Sequence, residues 1–97
     1  MTLRIESTLI QAGGDQFSIR DFEGVGPDLL FVHGTGHNLE VWNPLAEELR
    51  GKFRMVAFDL RGHGQTPAES QDPEQYWRDI ASLITATGLK FENKEER

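Results

Sequence analysis

Leu29-Leu30-Phe31-Val32-His33-Gly34-Thr35-Gly36 is an apolar run that breaks into a glycine-rich turn, and Met55-Val56-Ala57-Phe58-Asp59-Leu60-Arg61-Gly62-His63-Gly64 repeats that pattern further along the chain. Neither run alternates apolar with polar residues, as expected of strands covered on both faces and therefore of parallel sheet. Between them Val41, Trp42, Leu45 and Leu49 recur at helical spacing, and Asn43-Pro44 offers a cap followed by a proline at the first helical position. Gly51 ends that helix, and residues 54–58 form the second strand. The unit reads as strand, helix, strand, with both glycine-rich loops at the carboxyl ends of their strands, where ligand crevices open in folds of this kind.

Upstream, Leu3, Ile5 and Leu9 point to a first strand, and Phe17 and Ile19 alternate with Ser18 and Arg20 in a second. Gly13-Gly14-Asp15 between them suits a hairpin, because glycine reaches positive φ without steric cost. Gly24-Val25-Gly26-Pro27-Asp28 is the turn into the parallel strands. Downstream, a polar stretch from Arg61 to Gln71 leads to Asp72-Pro73-Glu74-Gln75, in which Asp72 caps a helix and Gln75 reaches back as in a capping box. Tyr76, Trp77, Ile80, Leu83 and Ile84 make one apolar stripe, and Thr87-Gly88 closes the helix. Trp42, Tyr76 and Trp77 are read as core, since a helix covering a sheet needs large buried side chains. Leu89-Lys90-Phe91 opens a further strand. The expected fold is α/β: a β-hairpin followed by β-α-β-α with parallel strands, in one partial domain over residues 1–91, with a charged, frayed tail over residues 92–97. There is no internal repeat and no linker.

At 97 residues the chain has room for one small domain. A formal charge of -6 works against nucleic acid and anionic membrane surfaces as partners. No cysteine is present, which removes disulfides, thiolate metal sites and a thiol nucleophile. The start, Met1-Thr2-Leu3-Arg4-Ile5-Glu6, has no signal-peptide core, and no apolar run approaches membrane-spanning length, so a cytoplasmic protein is expected.

The first loop has a chemical reason to be rich in glycine. Acyl transfer builds negative charge on a carbonyl oxygen, and fixed backbone N–H groups about 3 Å away stabilise it without reorganising. Gly34 and Gly36 permit such a backbone, which makes the N–H groups of Thr35 and Gly36 candidates for half of an oxyanion hole. Other readings are weaker. His33, His37, Asp59 and His63 fall near one sheet edge, and His33 and His37 have H-x-x-x-H spacing, but a Gly-Thr-Gly interior is loop rather than helix, so no metal is expected. Gly34 and Gly36 lie between a strand and a helix as in phosphate-binding loops, yet no lysine follows and the third glycine of the dinucleotide fingerprint is lacking. Arg61 is suited to bidentate capture of a substrate carboxylate, but an ion pair that pins its own loop is the expected role, since a binding claim needs a site and not a fold.

Taken together, His33-Gly34 after an apolar strand, Trp42 in the following helix and Asp59-Leu60-Arg61-Gly62-His63-Gly64 resemble the α/β-hydrolase family, from about Ser7 to Leu89. The likeness is to its small-substrate esterase, peroxidase-like and C–C bond hydrolase branches. It implies that Thr35, just after the His-Gly pair, donates an oxyanion N–H. It also implies that His33, Gly34, Asp59, Gly62, His63 and Gly64 shape the turns rather than react, with Thr66 standing where a serine is common. The family's nucleophile sits on a G-x-S-x-G turn after a later strand, and its acid and histidine follow in chain order. None of Ser7, Ser18, Ser70 or Ser82 has that setting. The resemblance therefore implies a hydrolase of small ester-like substrates, working without a cofactor, represented here by its oxyanion-loop half and inactive alone. The alternative is a truncated or split module that associates with itself or with the missing C-terminal half.

Overall fold

The computed structural model describes residues 6–34, 36–70 and 72–90. Strands β1 (Thr8–Ala12) and β2 (Asp15–Glu23) form an antiparallel hairpin around Gly13-Gly14, and β3 (Asp28–Val32) pairs in parallel with β4 (Arg54–Phe58). The sheet order is β1-β2-β4-β3, so β2 meets β4 antiparallel and β4 lies inside the sheet. Helix α1 (Asn43–Leu49) connects β3 to β4, and α2 (Pro73–Thr87) follows β4.

The two helices cover opposite faces, and β4 feeds both cores because successive side chains of a strand point to opposite sides. Val56 and Phe58 join Phe17, Ile19, Leu60 and Leu83 beneath α2. Met55 and Ala57 join Phe22, Phe31, Leu39 and Ala46 beneath α1. Phe17 and Phe58 meet edge to face at 6.3 Å, and Trp42 stacks on Phe31 at 4.8 Å. At the turn into β3, a Cβ on Gly24 would collide with the Phe53 carbonyl oxygen and one on Gly26 with that of Lys52, so this close backbone approach demands glycine.

Several expectations from the sequence need correction, each for a tertiary reason. The run before Gly51 splits into a 3₁₀ turn (Leu39–Trp42) and the short α1. Asn38, not Asn43, is the capping side chain, accepting the Glu40 N–H at 2.9 Å, while Asn43 accepts from the Arg20 guanidinium at 3.0 Å. Leu39 and Ala46 are the buried contacts here, whereas Val41 and Leu45 are exposed, because a 3₁₀ turn rotates the apolar positions off a single α-helical stripe. Asp72 caps α2 by accepting the Gln75 N–H at 3.2 Å, but the Gln75 side chain donates forward to Asp79 instead of reaching back.

Trp77 is 69% exposed and is not core; Leu83 fills the centre of the helix interface. Leu9 is also exposed, since α1 covers the β3–β4 side of its face and leaves the β1 side open. Last in the sheet order among the described residues, β3 is covered less than expected, with Phe31 buried and Val32 exposed. Ser7 precedes β1 and accepts from Arg20 at 3.0 Å. Leu3 and Ile5, Thr35, and the strand start and charged tail from Phe91 onward lie outside the described residues.

Candidate oxyanion-loop site

In the parallel register Leu29 pairs with Met55 and Val32 with Phe58, so His33 and Asp59 leave the sheet side by side. The chain then closes a turn in which the His37 N–H donates to the Gly34 carbonyl at 3.1 Å. Gly36 occupies the third position of this turn with φ 84, a left-handed value that other residues rarely adopt, and it is exposed. Thr35, the second position, lies outside the described residues.

His33 is buried and ties the two loops together. Its Nε2 accepts the Leu60 N–H at 3.0 Å, and because a backbone N–H can only donate, the ring proton sits on Nδ1, which donates to the Gly34 carbonyl at 2.8 Å. With both nitrogens engaged, His33 acts as a staple. The His63 ring lies 5.2 Å from it, tilted, with its Nδ1 bonded to the Arg61 carbonyl at 3.1 Å.

Asp59 braces the same region from beneath. Its buried carboxylate accepts the Leu39 N–H at 2.7 Å and the Gln65 N–H at 2.9 Å, joining the segment after the first turn to the far side of the second. The Thr66 hydroxyl donates to the Asp59 carbonyl at 2.7 Å and accepts the Ser18 N–H at 2.9 Å, fastening the loop to β2. Gly62 and Gly64 take φ values of 77 and 52. A Cβ on Gly64 would collide with the Asp59 carboxylate. Gly64→Ala is therefore expected to cost about 2 kcal/mol, combining left-handed backbone strain with displacement of that brace, read as a lowered thermal midpoint.

Arg61 is committed internally. Its Nε and Nη2 donate to the two oxygens of Asp79 on α2 at 2.7 and 2.8 Å, Nη2 also reaches Asp15 at 2.9 Å, and Nη1 donates to the Glu69 carbonyl at 3.1 Å. Its guanidinium carbon lies 5.6 Å from the Phe17 ring centroid. The hydrogen bond to Asp79 raises the Arg61 pKa further above its ordinary value; desolvation opposes this, and Asp15 adds to it. Asp79 was not singled out from the sequence. The available signal was a carboxylate on the inward side of the helix, one turn after Tyr76 and one before Leu83, which needs a buried cation.

No group of three or more His, Cys, Asp or Glu side chains among the described residues is placed to share a metal ion. The His33 ring nitrogens and the Asp59 carboxylate oxygens are engaged by backbone groups of the two loops. Beside the loops lies an apolar groove of about 480 Å³, lined mainly by Val32, Leu60, His63, Tyr76, Trp77 and Ile80. No helix among the described residues is long and apolar enough to cross a membrane.

Comparison with known proteins agrees with this architecture. Residues 29–93 match the Alpha/beta hydrolase family. The chain is 36% identical over 80 residues to the 2-(acetamidomethylene)succinate hydrolase of Mesorhizobium japonicum, covering 80% of this chain and 28% of that protein. It is 33% identical over 81 residues to protein phosphatase methylesterase 1 of Bos taurus, covering 78% and 21%. Among solved structures, E-2-(acetamidomethylene)succinate hydrolase superposes with a TM-score of 0.78 at 33% identity, covering 88% of this chain and 32% of that one. Epoxide hydrolase VrEH1 from Vigna radiata gives 0.78 at 30% identity, covering 88% and 29%. The chain thus spans less than a third of the length of these relatives. With the family matched across most of its length and the sheet superposing on solved members, the chain belongs to the α/β-hydrolase family, whose N-terminal strands and first two helices it carries.

Proposed function

We propose that this chain supplies the oxyanion-binding loop for hydrolysis of a small ester-like substrate, while the attacking residue, its base and its acid belong to polypeptide outside these 97 residues. The supporting observation is the turn closed by Gly34 and His37, held at the carboxyl end of β3 by the His33 staple and the Asp59 brace. Attack of a nucleophile on the substrate carbonyl opens the C=O π bond and places the electron pair on oxygen; the amides of Thr35 and Gly36 donate to that oxygen until the leaving group departs. Relatives named for hydrolysis of an acetamido-substituted succinate and of a methyl ester suit a carbonyl-centred substrate.

The test is a chimera in which residues 1–90 replace the matching part of the Mesorhizobium japonicum hydrolase. Turnover is expected in the chimera, and no acyl-enzyme burst from the 97-residue chain alone with p-nitrophenyl acetate. In the chimera Thr35→Pro, which removes the donor, should lower kcat by roughly 10²–10³-fold, the usual cost of losing one oxyanion donor. Thr35→Ala, which keeps the N–H, should leave kcat nearly unchanged. Equal effects of the two variants, or a burst from the chain alone, would overturn the proposal.

A further inference from the structure

We infer that His37 is a specificity-determining residue of the candidate site: its imidazole donates to a carboxylate carried by the acyl part of the substrate, a few bonds from the carbonyl that reacts. The inference rests on the reading above that the turn closed by Gly34 and His37 binds the oxyanion.

His33 and His37 share the H-x-x-x-H spacing, and the fold separates their roles. The His33 ring is buried with both nitrogens bonded, whereas His37 is exposed and neither of its ring nitrogens has a partner among the described residues. The backbone at 37 is nonetheless fixed, because its N–H closes the turn at 3.1 Å and the Leu39 N–H is held by Asp59 at 2.7 Å. A fixed backbone leaves the ring a small set of rotamers. The one adopted folds it over the turn, with Cδ2 lying 3.9 Å from where a Cβ on Gly34 would stand. Adjoining residues aside, nothing else among the described residues comes within 4 Å of that point, and nothing comes that near the corresponding point on Gly36. The space over both glycines is therefore open on these sides, and the imidazole borders it.

Donors gather around this space and no free acceptor answers them. Imidazole brings an N–H in either tautomer, beside the amides of Thr35 and Gly36. The Asp59 carboxylate, tied to the same loop, is already taken by the Leu39 and Gln65 N–H groups, and Glu40 is drawn toward Arg20 at 3.7 Å. Arg61, the residue suited by type to carboxylate capture, gives all three guanidinium nitrogens to Asp79, Asp15 and the Glu69 carbonyl. A substrate carboxylate over the turn thus meets His37, with no internal acid competing for the ring. A hydrogen bond to a charged group is stronger than a neutral one, and a site built on it discriminates against an isostere that lacks the acceptor.

The experiment uses the same chimera, with monomethyl succinate and its apolar isostere methyl 4-methylpentanoate as substrates and succinate as an unreactive ligand. The acid ester is expected to be preferred. His37→Phe, which keeps a flat ring and loses the N–H, should lower that preference, taken as the ratio of the two kcat/KM values, by roughly 10–30-fold, with the change carried by KM. Titration calorimetry should show succinate bound roughly tenfold more weakly by His37→Phe, and the His37 ring nitrogen resonances should shift on saturation with succinate. His37→Gln, which retains an N–H donor, should recover part of both losses. An unchanged preference, an unchanged succinate affinity or ring resonances that stay in place overturns the inference, as does a loss of kcat equal for the two esters. His37-dependent succinate binding in a chimera without turnover sinks the functional reading alone, and turnover indifferent to His37→Phe sinks this one alone. A folded chimera that neither turns over nor binds succinate sinks both.

Discussion

Asp79→Ala is expected to destabilise the chain by about 3–5 kcal/mol, the range for removing one partner of a buried ion pair and leaving the other charge uncompensated. The Arg61 and Asp79 side chains are 3% and 4% exposed, and Asp79 takes both Nε and Nη2 of the guanidinium. Asp15 is a poor substitute, being 45% exposed and reached by a single contact. A domain of this size has a total stability of about 5–15 kcal/mol, so the loss removes a large share of it and should lower the thermal midpoint by roughly 15 °C or more. The double variant Arg61→Met with Asp79→Leu should recover most of that loss, because apolar residues of similar volume leave no charge to solvate. Recovery separates the cost of an orphaned charge from any special value of the pair.

The pH dependence follows from the direction of the Arg61 shift. A raised folded-state pKa contributes stability that is complete below the unfolded value and fades only as pH climbs through the folded one. Both lie above the alkaline range in which the chain would be studied. The stability difference between the wild-type chain and Asp79→Ala should therefore stay constant between about pH 7 and 10, measured by urea unfolding. A difference that shrinks across that interval would mean that the guanidinium is not the group responsible.

Asp59→Ala should cost about 3–5 kcal/mol by a different route. No cation partners this carboxylate in the bonds observed; it accepts two backbone N–H groups, those of Leu39 and Gln65, and alanine leaves both donors facing the space it vacated. Asp59→Asn keeps the volume and one acceptor oxygen but turns an NH₂ toward a donor, so roughly half the loss should remain. Hydrogen exchange gives the local reading: the Leu39 and Gln65 amides should lose protection in Asp59→Ala before β4 does. A variant within about 1 kcal/mol of wild type would show that water satisfies these amides and that Asp59 is not the brace of the turn.

The site was partly legible before any coordinates. Glycine at 34, 36, 62 and 64 after two apolar runs marked tight turns at strand ends, and the observed backbone at 36, 62 and 64 has the positive φ that only such residues tolerate easily. The expectation that Arg61 pins its loop named the cation but not its partner. Asp79 lies 18 positions away, and only the packing of α2 against the hairpin brings it, with Asp15, to the guanidinium. Thr66 stands out in the sequence as a threonine where a serine is common, while its bond to the Ser18 amide 48 residues earlier carries no sequence signal.

Period and punctuation determined the elements by themselves. Alternation marks the second strand of the hairpin, an unbroken apolar run marks β3 and β4, apolar residues every third or fourth position mark α2, and glycine and proline end each of them, so these elements follow from rules acting over a few neighbouring residues. Which strand stands at the edge, and which aromatic faces water, was decided only by tertiary structure. Trp77 belongs to the same apolar stripe as Leu83, yet Leu83 is fully buried and Trp77 exposed, because burial depends on whether another element reaches that part of the helix. No local pattern records how far a neighbouring element extends; among the described residues the sheet order β1-β2-β4-β3 sets that limit.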